Sequence, residues 1–150
     1  MIINFLDKSK KNNPKDTNEN LMNMLALLIH AAKIDENYSD EEKELIINFA
    51  EMSSEEKLNR EQILSVIKNA EEYEKNSNQI LEYTQEVKKM DLDSKKLVLR
   101  FLWKIILSDD KSDIYENTLM RRICGLLYLP DKLSGEIKLD IIKEKNKWLT

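Results

Sequence analysis

The sequence predicts an all-α fold, a single compact bundle of about seven helices with an internal pseudo-twofold repeat. Three observations carry this. Glycine and proline occur only twice each in 150 residues, which favours long helices over a turn-rich sheet. No alternating β-branched run is present, so no strands are expected. Finally, Leu102–Leu127, LWKIILSDDKSDIYENTLMRRICGLL, matches Leu28–Ser53, LIHAAKIDENYSDEEKELIINFAEMS, at a constant offset of 74 residues. Leu28, Asp35, Glu42 and Leu45 fall on Leu102, Asp109, Glu116 and Leu119. Each copy reads as an apolar helix, an acidic loop and a second helix.

The chain suits one domain, and a chain of this size buries about 68–70% of its unfolded surface. Its 41% hydrophobic and 35% charged residues are a globular composition. The lone cysteine, Cys124, excludes an internal disulfide and a cysteine-cluster metal site. Lying among Ile123, Leu126 and Leu127, it reads as a small core residue. There is no basic region followed by an apolar run at the amino terminus, and no stretch reaches the roughly 18 apolar residues of a spanning helix. A soluble cytoplasmic protein is expected.

Residues 1–17 read as an N-terminal tail and linker, and residues 18–150 as the helical domain. MIINFL followed by Lys8, Lys10, Lys11 and Lys15 allows weak peripheral membrane contact through residues 1–15, although a frayed tail, or one folded back on the domain, is the simpler reading. From about Asn18 to Ile34, past the polar start Asn18, Glu19 and Asn20, almost every position is apolar except Asn23, His30 and Lys33, which predicts a nearly enclosed central helix. Its counterpart, Ser94–Leu107, is apolar all round past the polar start Ser94, Lys95 and Lys96, except at Arg100 and Lys104. Between the copies, Ile63, Ile67 and Ala70, then Ile80, Tyr83 and Val87, mark two amphipathic covering helices over Ser54–Lys75 and Ser77–Met90, broken around Asn76. After the second copy, Pro130 ends one helix and opens another. Leu133, Ile137 and Ile141 carry that last helix to about Lys145, with Trp148 placed to lap onto the core. The centre of the bundle is expected at Leu28, Ile29, Phe101, Leu102 and Ile105.

Charge is concentrated. Asp35–Lys57 holds nine acids against two lysines, a local charge of −7 in a chain of net −4. Such a flank repels phosphate backbones and attracts cations or basic protein surfaces. Nucleic-acid binding is therefore not expected, and a basic protein partner is.

Within the acidic loops, Ser39 precedes Glu42 by three residues and Asp113 precedes Glu116 by three. Both are capping-box spacings, in which the cap oxygen accepts from the N3 amide while the Glu reaches back to the cap's own N–H. Capping does not account for Asp35 and Asp109. They close the preceding helices, where an acid opposes the helix dipole, and each recurs seven residues before the repeated Glu.

This acidic pairing in a duplicated helix–loop–helix unit resembles the TerB-like family of bacterial tellurite-resistance and stress proteins, relatives of the amino-terminal domain of membrane-linked J-domain co-chaperones. The resemblance covers roughly Asn18–Lys145. It implies the helical fold and carries the family's acidic pair onto Asp35 with Glu42 and Asp109 with Glu116. The family's Ala-Asp-Gly turn is altered here: Glu36 and Asp110 stand in place of the Gly, and Ile34 and Ser108 precede the Asp. The resemblance further implies an accessory role in the response to tellurite or related stress.

Oxygen ligands at Asp35, Asn37, Glu42, Asp109, Asp113 and Glu116 would suit a hard divalent cation, Ca²⁺ or Mg²⁺. They do not form an EF-hand, because the twelfth position of that loop falls on Ile46 or Met120 rather than Glu and the central Gly is missing. Capping in a solvated loop is the competing reading, and docking of a basic protein surface the third. His30, the only histidine, has no spaced partner for a zinc site and reads as a surface residue. No nucleophile with a base, no Gly-rich phosphate loop and no His-Pro-Asp motif of a J-domain occurs, so no stand-alone enzyme is expected. Two functions remain: a TerB-like accessory protein sensing or carrying a cation, and an interaction adaptor in which any cation is incidental.

Overall fold

The computed structural model describes residues 14–34, 38–54, 57–77, 80–109 and 114–149, and the side chains of residues 19–34, 38–54, 57–77, 80–108 and 117–146. Among the described residues the fold is all-α, with seven α-helices, one 3₁₀ turn and no strand. In chain order these are α1 (Pro14–Ala32), α2 (Asp40–Ser53), α3 (Arg60–Asn76), α4 (Leu81–Lys88), α5 (Leu92–Ile106), the 3₁₀ turn Leu107–Asp109, α6 (Ile114–Leu126) and α7 (Asp131–Leu149).

Helix α1 is central, packing against α2, α3, α4 and α5. Leu25, Ala26, Leu27, Leu28, Ile29 and Ala32 have no solvent exposure, which an apolar surface on every side of a helix requires. Fully burying one of its large aliphatic side chains contributes roughly 1.5–3 kcal/mol. The helix begins at Pro14 rather than near Asn18, since the fixed φ of proline suits a first turn and its missing N–H is not needed there. The first copy's pairings of α1 with α3 and α2 with α3 recur in the second as α5 with α7 and α6 with α7. The leading helices of the two copies, α1 and α5, pack against each other, and the expected central residues Leu28, Ile29, Phe101, Leu102 and Ile105 are all buried. Helix α2 also reaches α5, where Phe49 meets Phe101 edge to face at 5.3 Å between ring centres.

The connecting helices bury Ile63, Ile67 and Ala70 from α3 and Tyr83, Thr84 and Val87 from α4. Helix α3 starts at Arg60, six residues after the expected Ser54, because Asn59 and Gln62 form a complete capping box. It ends at Asn76 as expected, with the Ser77 hydroxyl donating to the Tyr73 carbonyl. Asp91 caps α5, accepting from the Ser94 amide at 2.8 Å, so this helix begins two residues before Ser94. Cys124 is buried as expected, and burial pushes its thiol pKa up.

Helix α6 closes in a Schellman motif: the Leu129 amide bonds the Cys124 carbonyl and the Tyr128 amide bonds the Gly125 carbonyl. Tyr128 occupies the left-handed position, with φ 58°. Helix α7 runs past Lys145 to Leu149; the Trp148 side chain lies outside the described residues. No helix among the described residues is long and apolar enough to cross a membrane.

Candidate functional site

The acidic connections inherit their positions from the helix ends. In the first copy α1 closes with the Lys33 amide bonded to Ile29 and the Ile34 amide to Ala31, and the chain re-enters regular structure at the Ser39 cap of α2. Ser39 has extended backbone, and its hydroxyl accepts from the Glu42 amide at 3.1 Å. In return Glu42 Oε1 accepts from the Ser39 amide at 2.9 Å and from the Ser39 hydroxyl at 3.1 Å. The capping box expected from Ser39-x-x-Glu42 is therefore present, and the Glu42 side chain is buried. Asp35 and Asn37 lie outside the described residues, as does Asp113. Asp109 ends the 3₁₀ turn and Glu116 lies in the first turn of α6, with both side chains outside the description. Of the six oxygen ligands considered from the sequence, Glu42 alone has a described side chain, and one of its oxygens serves the cap. Among the described residues no three His, Cys, Asp or Glu side chains converge as a metal site would require.

Helix α3 supplies a feature the sequence did not disclose. Glu71 and Glu74, one turn apart, hold the flanks of the first acidic connection. Glu74 pairs with Lys33 at 2.7 Å and lies 3.3 Å from His30 Nδ1. Glu71 accepts from the Tyr38 hydroxyl at 2.9 Å and sits 3.5 Å from Lys43. Burial, then the hydrogen bond to Glu71, push the Tyr38 pKa far above its ordinary value. His30 is accordingly half-buried rather than on the open surface, its ring also tilted against Tyr83 at 6.0 Å. Asn23, the third polar position of α1, is buried: its amide donates to the Glu19 carbonyl and its oxygen accepts from the Tyr73 hydroxyl. The polar stripe of α1 thus meets polar groups of α3. The only local signal was the recurrence of Glu and Tyr along α3, and solvated helix faces show the same pattern.

The contacts of Glu71 and Glu74 with Lys33, Tyr38 and Lys43 form a clamp, and Lys33, Tyr38, Lys43 and Glu71 of it line a groove of about 350 Å³ between the end of α1, the start of α2 and α3. A second groove, of about 340 Å³, lies where Glu19, Glu82 and Glu86 surround Tyr73 and Asn23. At the second acidic connection a residue from α7 takes the corresponding place, since Lys145 Nζ donates to the Leu107 carbonyl at 2.6 Å. That cation answers the negative end of the α5 dipole.

The family model described as tellurite resistance protein TerB matches residues 21–139. The chain belongs to the TerB family. This match spans α1 from its first buried leucine to the middle of α7, including both acidic connections and the α3 clamp. The resemblance read from Asp35, Glu42, Asp109 and Glu116 thus holds at the level of the family. Comparisons with curated proteins and with solved structures find no match. Family membership makes this a tellurite-resistance-related helical domain.

Proposed function

We propose that this TerB-family chain is a non-enzymatic, cytoplasmic accessory protein of tellurite and related stress responses, which docks a basic surface of a partner protein through α2. The arrangement of that helix carries the reading. Ile46, Ile47, Phe49 and Ala50 turn inward, while Asp40, Glu41, Glu44 and Glu51 are exposed along its outer side. Glu44 is bridged to Arg60 at 2.7 Å, and the rest of that acidic face is open to a partner. Charge of one sign on a rigid helix steers association and sets partner choice more than it adds affinity. Capture of the partner from the native cell extract by wild-type protein, compared with Glu41→Gln/Glu44→Gln/Glu51→Gln protein across a salt series and with chelator, tests this. Capture that falls with salt and in the variant but survives chelator supports docking. Capture that the variant retains undiminished overturns it.

A second reading, of a divalent cation held by the acidic loops, is favoured by the recurrence of Asp35 and Asp109 seven residues before Glu42 and Glu116. Capping leaves those two aspartates without a role, and close carboxylates repel unless a cation shields them. Ligation through Glu42 would share that residue with the cap. In support of the reading, Ca²⁺ or Mg²⁺ should bind saturably in calorimetric titration and raise the melting temperature, with a weaker response in Asp109→Asn. Absence of saturable binding together with a melting curve unchanged by chelator leaves capping as the role of the repeated Glu. The non-enzymatic reading rests on the lack of a nucleophile with its base. Turnover on a phosphatase and esterase panel that vanished in Asp35→Asn or Asp109→Asn would overturn it.

A further inference from the structure

The clamp leaves two cations of the 350 Å³ groove unengaged. Glu71 is occupied by Tyr38 and Lys43, and Glu74 by Lys33 and His30. Lys68 and Lys75, also on α3 and also lining the groove, make no ion pair among the described residues. They lie seven residues apart, two turns along one face and about 10.5 Å along the axis. With Lys33 and Lys43, the lining carries four ammonium groups, and the carboxylates of Glu71, Glu72 and the Lys33 partner Glu74 leave one net positive charge. The whole chain carries −4. The groove is therefore a local inversion of the protein's charge.

The chemistry of the lining narrows the ligand. No arginine is present, so the planar fork that recognises carboxylates in two-point fashion is missing. Lysines act as point charges, which suits the tetrahedral oxygens of a phosphate. The half-buried Tyr38 ring supplies an apolar portion of the wall. The volume lies at the lower end of the roughly 300–1,000 Å³ of small-molecule sites. We propose that this groove binds a phosphomonoester, with the phosphate at Lys68 and Lys75 and a short carbon moiety against Tyr38. The site is separate from the acidic outer side of α2 and does not depend on the docking reading.

The test is calorimetric titration of the full chain with glycerol 3-phosphate, inorganic phosphate and citrate, each against sodium chloride of matched ionic strength, repeated with Lys68→Gln/Lys75→Gln. Both lysines are exposed, so the double variant should keep the wild-type circular dichroism and melting curve. The expected result is saturable binding of glycerol 3-phosphate, several-fold tighter than that of inorganic phosphate and at least tenfold weaker in the double variant. Vesicles of phosphatidylcholine containing phosphatidic acid separate the two sources of a phosphomonoester. Lysine-dependent co-sedimentation without binding of the soluble ester assigns the phosphate to a lipid headgroup, and the converse to a free metabolite. Citrate binding as tightly as the ester, affinity unchanged in the double variant, or no saturable binding in any arm would overturn the proposal.

Discussion

The Tyr38 hydroxyl donates to Glu71 at 2.9 Å across 33 residues of sequence, tying the entry to α2 to a helix that begins only after α2 has ended. Removing that donor in Tyr38→Phe should cost about 1 kcal/mol, the usual net worth of one such bond. A double-mutant cycle with Glu71→Ala in urea denaturation should show coupling of similar size. Additive single effects would mean that the pair is decorative.

The same tyrosine sets an alkaline limit. Its folded-state pKa is raised, as are those of Tyr83 and Tyr73, in each case first by burial. The unfolded chain therefore releases these protons near pH 10 while the folded chain keeps them. Stability is full below pH 10 and falls as pH rises through the folded values. Denaturation midpoints measured from pH 8 to 11 should show this decline, with a shallower slope in Tyr38→Phe.

At the acid end the sign reverses. Hydrogen bonding to Ser94 lowers the Asp91 pKa below its ordinary 3.8. Its contribution is present above that value and fades as pH falls through the folded pKa. Asp91→Asn retains a cap acceptor but no titration, so its stability should depend less on pH between 4 and 2 than that of the wild type.

Trp103 Nε1 donates to Ser134 Oγ at 3.0 Å inside the α5–α7 contact, where both residues are buried. Ser134→Ala strands a buried indole N–H and should destabilise by about 1–3 kcal/mol. An exposed change such as Leu139→Ala on the same helix should leave the urea midpoint within about 0.5 kcal/mol of wild type.

Tyr128 holds the left-handed Schellman position with its side chain largely exposed and the Lys88 ammonium 4.7 Å from its ring centre. A non-glycine residue there costs roughly 1–2 kcal/mol, partly offset by the cation–π contact at about 0.5–1 kcal/mol. Tyr128→Gly should therefore raise the thermal midpoint modestly, corresponding to about 0.5 kcal/mol. A fall would mean that the aromatic contact outweighs the backbone strain.

The helices, their repeat and the family were legible in the sequence because they follow from local regularities. An apolar stripe with period 3.6, a Ser-x-x-Glu cap and an offset of 74 residues each leave a mark within one window or between two aligned ones. Ser39 and Glu42 could be paired on paper because three residues separate them. The starts of α3 and α5 differ from those the apolar pattern predicts because Asn59-x-x-Gln62 and Asp91-x-x-Ser94 act as caps, both local signals. Only the tertiary structure decided that Glu71 and Glu74 face Lys33 and Tyr38, that Asn23 is buried and His30 half-buried, and that Lys145 closes the end of α5. These contacts join residues 33 to 50 apart, or 38 in the case of Lys145. Which charged face of an amphipathic helix meets which neighbour depends on how helices rotate against one another in packing. Composition along a single helix is silent on that angle, because the same alternation of Lys and Glu satisfies water as well as it satisfies a partner helix.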